Sequence, residues 1–193
     1  MAPEQRREQL LDAVLRVIVE QGVHKVSIDT VARAADVSRP VIYGLFDDSE
    51  QLLRASLDRE EAGALAQIAE VVATVEAGTD PVDALLGGFD AFLAEVQAAP
   101  DRWRAIFLIA DASTPAFRRR IDRARQSFLG AVENFVRSST PARQPAGFDA
   151  ALTARMLYAL FWEAGRLVLA DPEAFPASRI RDYARSLARI LPT

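Results

Sequence analysis

Cysteine is absent from the 193 residues, and histidine occurs once, as His24. The first absence excludes disulfides and thiolate metal sites and fits a reducing compartment. The second leaves His24, in the short connector Gly22-Val23-His24-Lys25-Val26, with no histidine partner for a metal pair or a proton relay, so it reads as a solvated or capping group. Strand-like alternation is scarce. Only 8% of residues are aromatic while half are hydrophobic, with alanine and leucine abundant, and the expectation is an all-α protein. No glycine-rich phosphate loop follows a strand, and no His/Asp/Glu spacing suits a metal. Glu60 and Glu61 are adjacent on a helix, where neighbours point roughly 100° apart, so they do not bracket a substrate. We therefore expect no catalytic residues, no metal and no cofactor. The opening MAPEQRREQLLDAVL is charged and amphipathic and does not resemble a leader, which gives a cytoplasmic expectation. A basic excess is missing too. Net charge is −4, and residues 1–54 hold seven basic and nine acidic side chains, so composition offers no electrostatic footprint for nucleic acid. Any DNA contact must rest on how charges are placed.

What is present is the stretch Ser27 to Phe46, SIDTVARAADVSRPVIYGLF. Ile28, Val31, Ala32 and Ala35 recur at helical spacing behind Ser27, a cap candidate. Asp36-Val37 breaks the pattern. Ser38 is a second cap candidate, and Pro40 falls in the first turn of a helix about two turns long running through Tyr43. Helix, tight turn and helix is the arrangement that presents a recognition helix to the major groove. Arg39 has the fork to donate two hydrogen bonds to guanine O6 and N7, and Val41 the methyls to meet thymine. Tyr43 reads as a DNA contact, Phe46 as core.

Elsewhere, Leu11, Val14, Leu15 and Ile18 form a stripe on a first helix that ends at Gly22. After the acidic turn Asp47-Asp48-Ser49-Glu50, Leu53, Leu57, Leu65, Ile68, Val72 and Val75 mark a fourth helix of roughly 27 residues, ~40 Å long. A helix with Leu85, Leu86, Phe89, Phe92, Leu93 and Val96 ends at Pro100. A short segment, Trp103 to Ala110, follows. The next helix starts at Thr114-Pro115, and its Arg118, Arg119, Arg120, Arg123 and Arg125 read as a solvated face rather than a phosphate site. Ser138 to Gly147 is the clearest linker. Asp149 to Ala170 is apolar on nearly every side, but Arg155, Glu163 and Arg166 interrupt it, so it reads as doubly buried and not as a membrane span. With the last helix, Ser178 to Leu191, it looks like half of a four-helix homodimer interface, to which we assign Met156, Leu160, Glu163, Leu167, Tyr183 and Leu187.

Val31-Ala32, Ala35-Asp36-Val37-Ser38, Ile42-Tyr43, Phe46, Glu50 and Leu52 resemble the N-terminal signature of the tetracycline-repressor (TetR) family of bacterial transcription regulators. The resemblance implies a three-helix DNA-binding head, residues 1–55, joined by the long fourth helix to a ligand-binding and dimerisation core, residues 56–193, with about nine helices in all. It implies a homodimer that binds a palindromic double-stranded operator, most often as a repressor, and releases it when a small hydrophobic or aromatic effector binds. Carried onto this chain, the DNA contacts are Ser27, Thr30, Ser38, Arg39, Pro40, Val41 and Tyr43. Phe89, Phe92, Trp103, Phe107, Phe128, Tyr158 and Trp162 are the candidate effector lining, with Arg104, Asp111 and Glu163 as candidate polar groups, although core packing would demand such aromatics as well. Three positions depart from the family pattern. Asp36 replaces the usual turn glycine, Ser49 replaces a phosphate-holding lysine, and Gly44 stands where a polar or aromatic contact is common. The alternative is a helical ligand-binding or protein-interaction module without specific DNA binding.

Overall fold

The computed structural model describes residues 2–73, 80–110, 148–190 and part of 122–137. Among these every regular element is helical. The expected helix start at Thr114-Pro115, the arginines Arg118, Arg119, Arg120 and Arg123, and the linker after Ser138 lie outside the described residues. The chain divides into two compact units, Met1–Ala66 with Ala99–Asp111, and Gln67–Ala98 with Ala112–Thr193.

In the first unit, α1 (Pro3–Gln21), a 3-10 turn (Val23–Lys25), α2 (Ile28–Ala35), α3 (Arg39–Tyr43), the N-terminal part of α4 (Ser49–Ala73) and α6 (Pro100–Ala110) share one core. Leu10, Leu11, Val14, Val17 and Ile18 of α1 are buried with Val31 and Ala35 of α2, Ile42, Phe46, Leu52, Trp103 and Phe107. Each large apolar side chain among them contributes about 1.5–3 kcal/mol by leaving water. Helix α1 stops at Gly22, whose φ of 92° is open to glycine and strained for other residues.

The local signals of the helix-turn-helix behave as their chemistry dictates. The Ser27 hydroxyl accepts the Thr30 N–H at 3.2 Å, and Thr30 Oγ1 accepts the Ser27 N–H at 2.9 Å, a reciprocal cap. Asp36 is left-handed, with φ 53° and ψ 51°. There the Asp36 N–H donates to the Arg33 carbonyl and the Val37 N–H to the Ala32 carbonyl, the bonding of a Schellman turn. Ser38 departs from expectation: it occupies the N-cap with extended backbone but makes no side-chain cap bond. Pro40, in the first turn of α3, needs no partner for a missing N–H. Asp48 caps α4 by accepting the Gln51 N–H at 2.7 Å.

Of the apolar stripe expected along α4, Leu57 is buried and Leu53 and Ile68 are half-buried, while Val75 and the side chain of Val72 lie outside the described residues. Leu65 is exposed, and the buried face runs through Leu52, Ser56, Leu57, Glu60 and Ala64. Two of these are polar, so a count of apolar residues misplaces the face.

In the second unit α5 (Pro81–Ala98) packs against α7 (Ala150–Ala170) and α8 (Ala177–Ile190). Asp149 caps α7 through the Leu152 N–H at 3.0 Å. Asp90 on α5 pairs with Arg185 on α8 at 3.1 Å. Helix α7 is not buried all round: Leu152 and Met156 are exposed, opposite the buried Ala154, Ala164 and Val168. No described helix is long and apolar enough to cross a membrane.

Candidate functional site

Helix α3 is only five residues long, and its burial sorts it into an inner and an outer face. Ile42 is fully buried and anchors it. Val41 is half-buried, while Ser38, Arg39 and Pro40 are exposed and Tyr43 is 57% exposed. The α2 end on which α3 turns is held by α1: Gln9 Nε2 donates to the Ala35 carbonyl at 2.9 Å and Arg16 Nη2 to the Ala34 carbonyl at 2.8 Å. These bonds satisfy carbonyls that a helix terminus leaves open. Below α3, the Arg7 guanidinium lies 4.8 Å over the ring of buried Phe46.

Ser27 and Thr30 are half-buried, and their hydroxyls are engaged locally, Thr30 Oγ1 also donating to the Lys25 carbonyl at 2.7 Å. Arg39 is ion-paired through Nε with Asp29 near the start of α2, a contact that sequence pattern gave no reason to seek.

A second charged constellation ties α1, α4 and α6 together. Glu60 is 3% exposed. Its Oε1 meets Arg59 Nη2 at 2.6 Å and its Oε2 meets Arg102 Nε at 2.9 Å. Arg59 Nη1 also reaches Glu8 and Asp12 of α1, each at 2.8 Å. Burial alone would lower the Arg59 pKa, but its bonds to Glu8, Glu60 and Asp12 outweigh that and raise it above its ordinary value, so the guanidinium stays charged. Gly63 makes the room: a Cβ there would sit 2.5 Å from Arg102 Cζ.

The candidate effector residues fall into two groups. Trp103 and Phe107, with ring centroids 5.9 Å apart, are buried in α6 and belong to the first compact unit. Phe89, Phe92, Phe128, Tyr158 and Trp162 belong to the second. There Tyr158 stacks on Trp162 at 5.5 Å and meets Phe128 at 5.9 Å, and Arg125 lies 5.0 Å over the Tyr158 ring. Burial raises the Tyr158 phenol pKa, with Arg125 opposing and Asp122 adding to the shift. Phe161, absent from the candidate set, meets both Phe89 at 4.9 Å and Phe92 at 5.4 Å. Its place in the apolar run Leu160-Phe161-Trp162 hid which of three neighbours faces α5. Asp111 lies outside the described residues.

Of the candidate dimer residues, Met156 and Tyr183 are each 60% exposed, Glu163 is exposed, and Leu160 and Leu167 are half-buried. The side chain of Leu187 lies outside the described set. Among the described residues, no group of three or more His, Cys, Asp or Glu is placed to hold a metal.

Residues 10–56 match the family described as bacterial regulatory proteins, tetR family. The chain is 31% identical over 104 residues to the transcriptional activator FasR of Mycolicibacterium smegmatis, an alignment covering 54% of this chain and 46% of FasR. It thus spans about half the length of that relative. The fold is similar to a TetR-like transcriptional regulator from Rhodococcus sp. RHA1, with a TM-score of 0.76, 24% identity and coverage of 95% of this chain and 93% of that one. It is also similar to the regulator FadR of Bacillus subtilis in complex with stearoyl-CoA, with a TM-score of 0.71, 17% identity and coverage of 95% and 96%. Residues 10–56, which hold the helix-turn-helix, are thus the part of the chain that matches the tetR family of bacterial regulatory proteins.

Proposed function

We propose that the protein is a cytoplasmic, homodimeric transcription regulator, a repressor that binds a palindromic operator and is released by a small hydrophobic or aromatic effector. The observation that carries this reading is the sorting of α3: Ile42 holds it to the core while Arg39, Pro40 and Tyr43 stand out in solvent. Side chains with no packing duty on a short, proline-started helix suit entry into a groove. Arg39 reads guanine, Val41 meets thymine methyls at its open edge, and Ser38, Pro40 and Tyr43 meet the backbone or base edges. Ser27 and Thr30 present the start of α2 to a phosphate. Residues 1–55 form the DNA-binding part and 56–193 the effector and dimerisation part, with α6 packed in the first compact unit.

The exposed Met156 and Tyr183 support a two-fold pairing of α7 and α8, which would cover them. The rings around Tyr158 and Phe161 supply the apolar surface an effector needs. FadR of Bacillus subtilis was solved with stearoyl-CoA, so a long-chain acyl-CoA is the first effector to test, ahead of aromatic compounds. Nothing in the reading requires catalysis.

The test is an electrophoretic shift assay with the preferred duplex. Arg39→Ala is expected to lose selectivity for at least one base, and Tyr43→Phe to weaken all sequences alike. Unchanged affinity and selectivity in both variants would remove the assignment and leave a ligand-binding or protein-interaction module as the better account.

A further inference from the structure

Resting on the base-reading role of Arg39, we infer that Asp29 is a specificity-determining positioning residue that aims the Arg39 guanidinium at the groove. Three observations carry this. Arg39 is the first residue of α3, and its side chain is 65% exposed, so packing does not fix its four flexible torsions. The contact that holds it is an ion pair with the Asp29 carboxylate, closest at Nε, on the side edge that Nε shares with one terminal nitrogen and not on the end edge formed by the two terminal nitrogens. An arginine reads guanine O6 and N7 with a planar pair of N–H groups. A carboxylate on that side edge therefore tethers the guanidinium while leaving the end pair of N–H groups to read the base.

The carboxylate is itself placed. Asp29 lies in the first turn of α2, where a negative charge is favoured by the helix terminus. The reciprocal Ser27–Thr30 cap holds that turn, and α1 holds the other end of α2 through Gln9 and Arg16. The side chain of Asp29 is 52% exposed, and an ion pair this open adds little to stability. A carboxylate facing DNA also repels phosphate. The pair is poorly explained by stability or by general affinity, and orientation accounts for it.

The two effects separate in the isosteric variant Asp29→Asn. Discrimination between the preferred duplex and the same duplex with the Arg39-read guanine replaced is expected to fall about fivefold to tenfold, the low end of what a bidentate arginine–guanine pair supplies. Affinity for an unrelated duplex is expected to rise about twofold or more, because a charge repelling phosphate is gone. In an Arg39→Ala background, Asp29→Asn is expected to leave discrimination unchanged. The assay uses the full chain and duplexes selected from random oligonucleotides, with thermal melting of each variant alongside.

If Asp29 instead sequesters Arg39, Asp29→Asn raises affinity for the preferred duplex with discrimination intact, and the proposal is overturned. A merely structural role, which would lower specific and nonspecific binding together along with the melting temperature, also overturns it. Lost discrimination in Arg39→Ala with none lost in Asp29→Asn refutes the positioning role alone. Unchanged discrimination in Arg39→Ala refutes the base-reading role and the proposal with it.

Discussion

Glu60 is the buried charge on which the first compact unit turns, and its removal has a calculable cost. Breaking a fully buried ion pair costs about 3–5 kcal/mol, because the surviving charge is left in a poor solvent. Here the survivors are not fully buried: the side chains of Arg59 and Arg102 are 25% and 27% exposed, and Arg59 keeps Glu8 and Asp12. The expected loss for Glu60→Ala is therefore discounted to about 2–3 kcal/mol. At roughly 2–4 °C per kcal/mol for a chain of this size, the melting temperature should drop by about 5–10 °C in differential scanning calorimetry at fixed protein concentration. Glu60→Gln keeps one acceptor but does not neutralise two guanidinium groups, so about half that loss is expected. A melting temperature for Glu60→Ala within about 1 °C of the parent would refute the reasoning.

Gly63→Ala sets a helix-propensity gain of up to ~1 kcal/mol against displacement of Arg102 from Glu60. A net loss of ~1 kcal/mol is expected by chemical denaturation, and a stabilised variant would show that Arg102 relocates freely. Asp36→Val places a β-branched residue at φ 53° and should cost about 1–2 kcal/mol. Tyr158 has a raised folded-state pKa, so its linked stability is complete below pH 10 and is lost as pH rises through the raised value. Tyr158→Phe should flatten that alkaline decline, and an unaltered stability profile above pH 10 would contradict it. Ser49→Lys, at the start of α4, should steepen the log affinity–log salt slope by about one unit. Met156→Glu should yield monomers in sedimentation equilibrium.

The head was legible because its signals are local. The Ser27 cap, the Asp36 turn, Pro40 in the first turn of α3 and Gly22 at the end of α1 each act within about one helical turn of themselves. What escaped was decided at long range. The buried face of α4 carries Ser56 and Glu60, and besides the neighbouring Arg59 it takes Leu11, 45 residues away, and Arg102, 42 residues away, to make those polar groups acceptable there. Apolar periodicity therefore pointed to Leu65, which is exposed. The placement of α6 with the N-terminal unit escaped for the same reason, so Trp103 and Phe107 were grouped with aromatics of the other unit. At the candidate site, the exposure of Arg39 and Tyr43 followed from the pattern. The Asp29–Arg39 pair did not, since it depends on how the turn sets α3 against the start of α2.

The central claim, that this acidic head reads DNA, is tested most directly by selecting binders from a random double-stranded pool with the full-length protein. The account predicts an enriched inverted repeat whose half-sites lie about one helical turn, ~34–36 Å, or a multiple of it apart. A pool that remains random after repeated selection at low salt would contradict it.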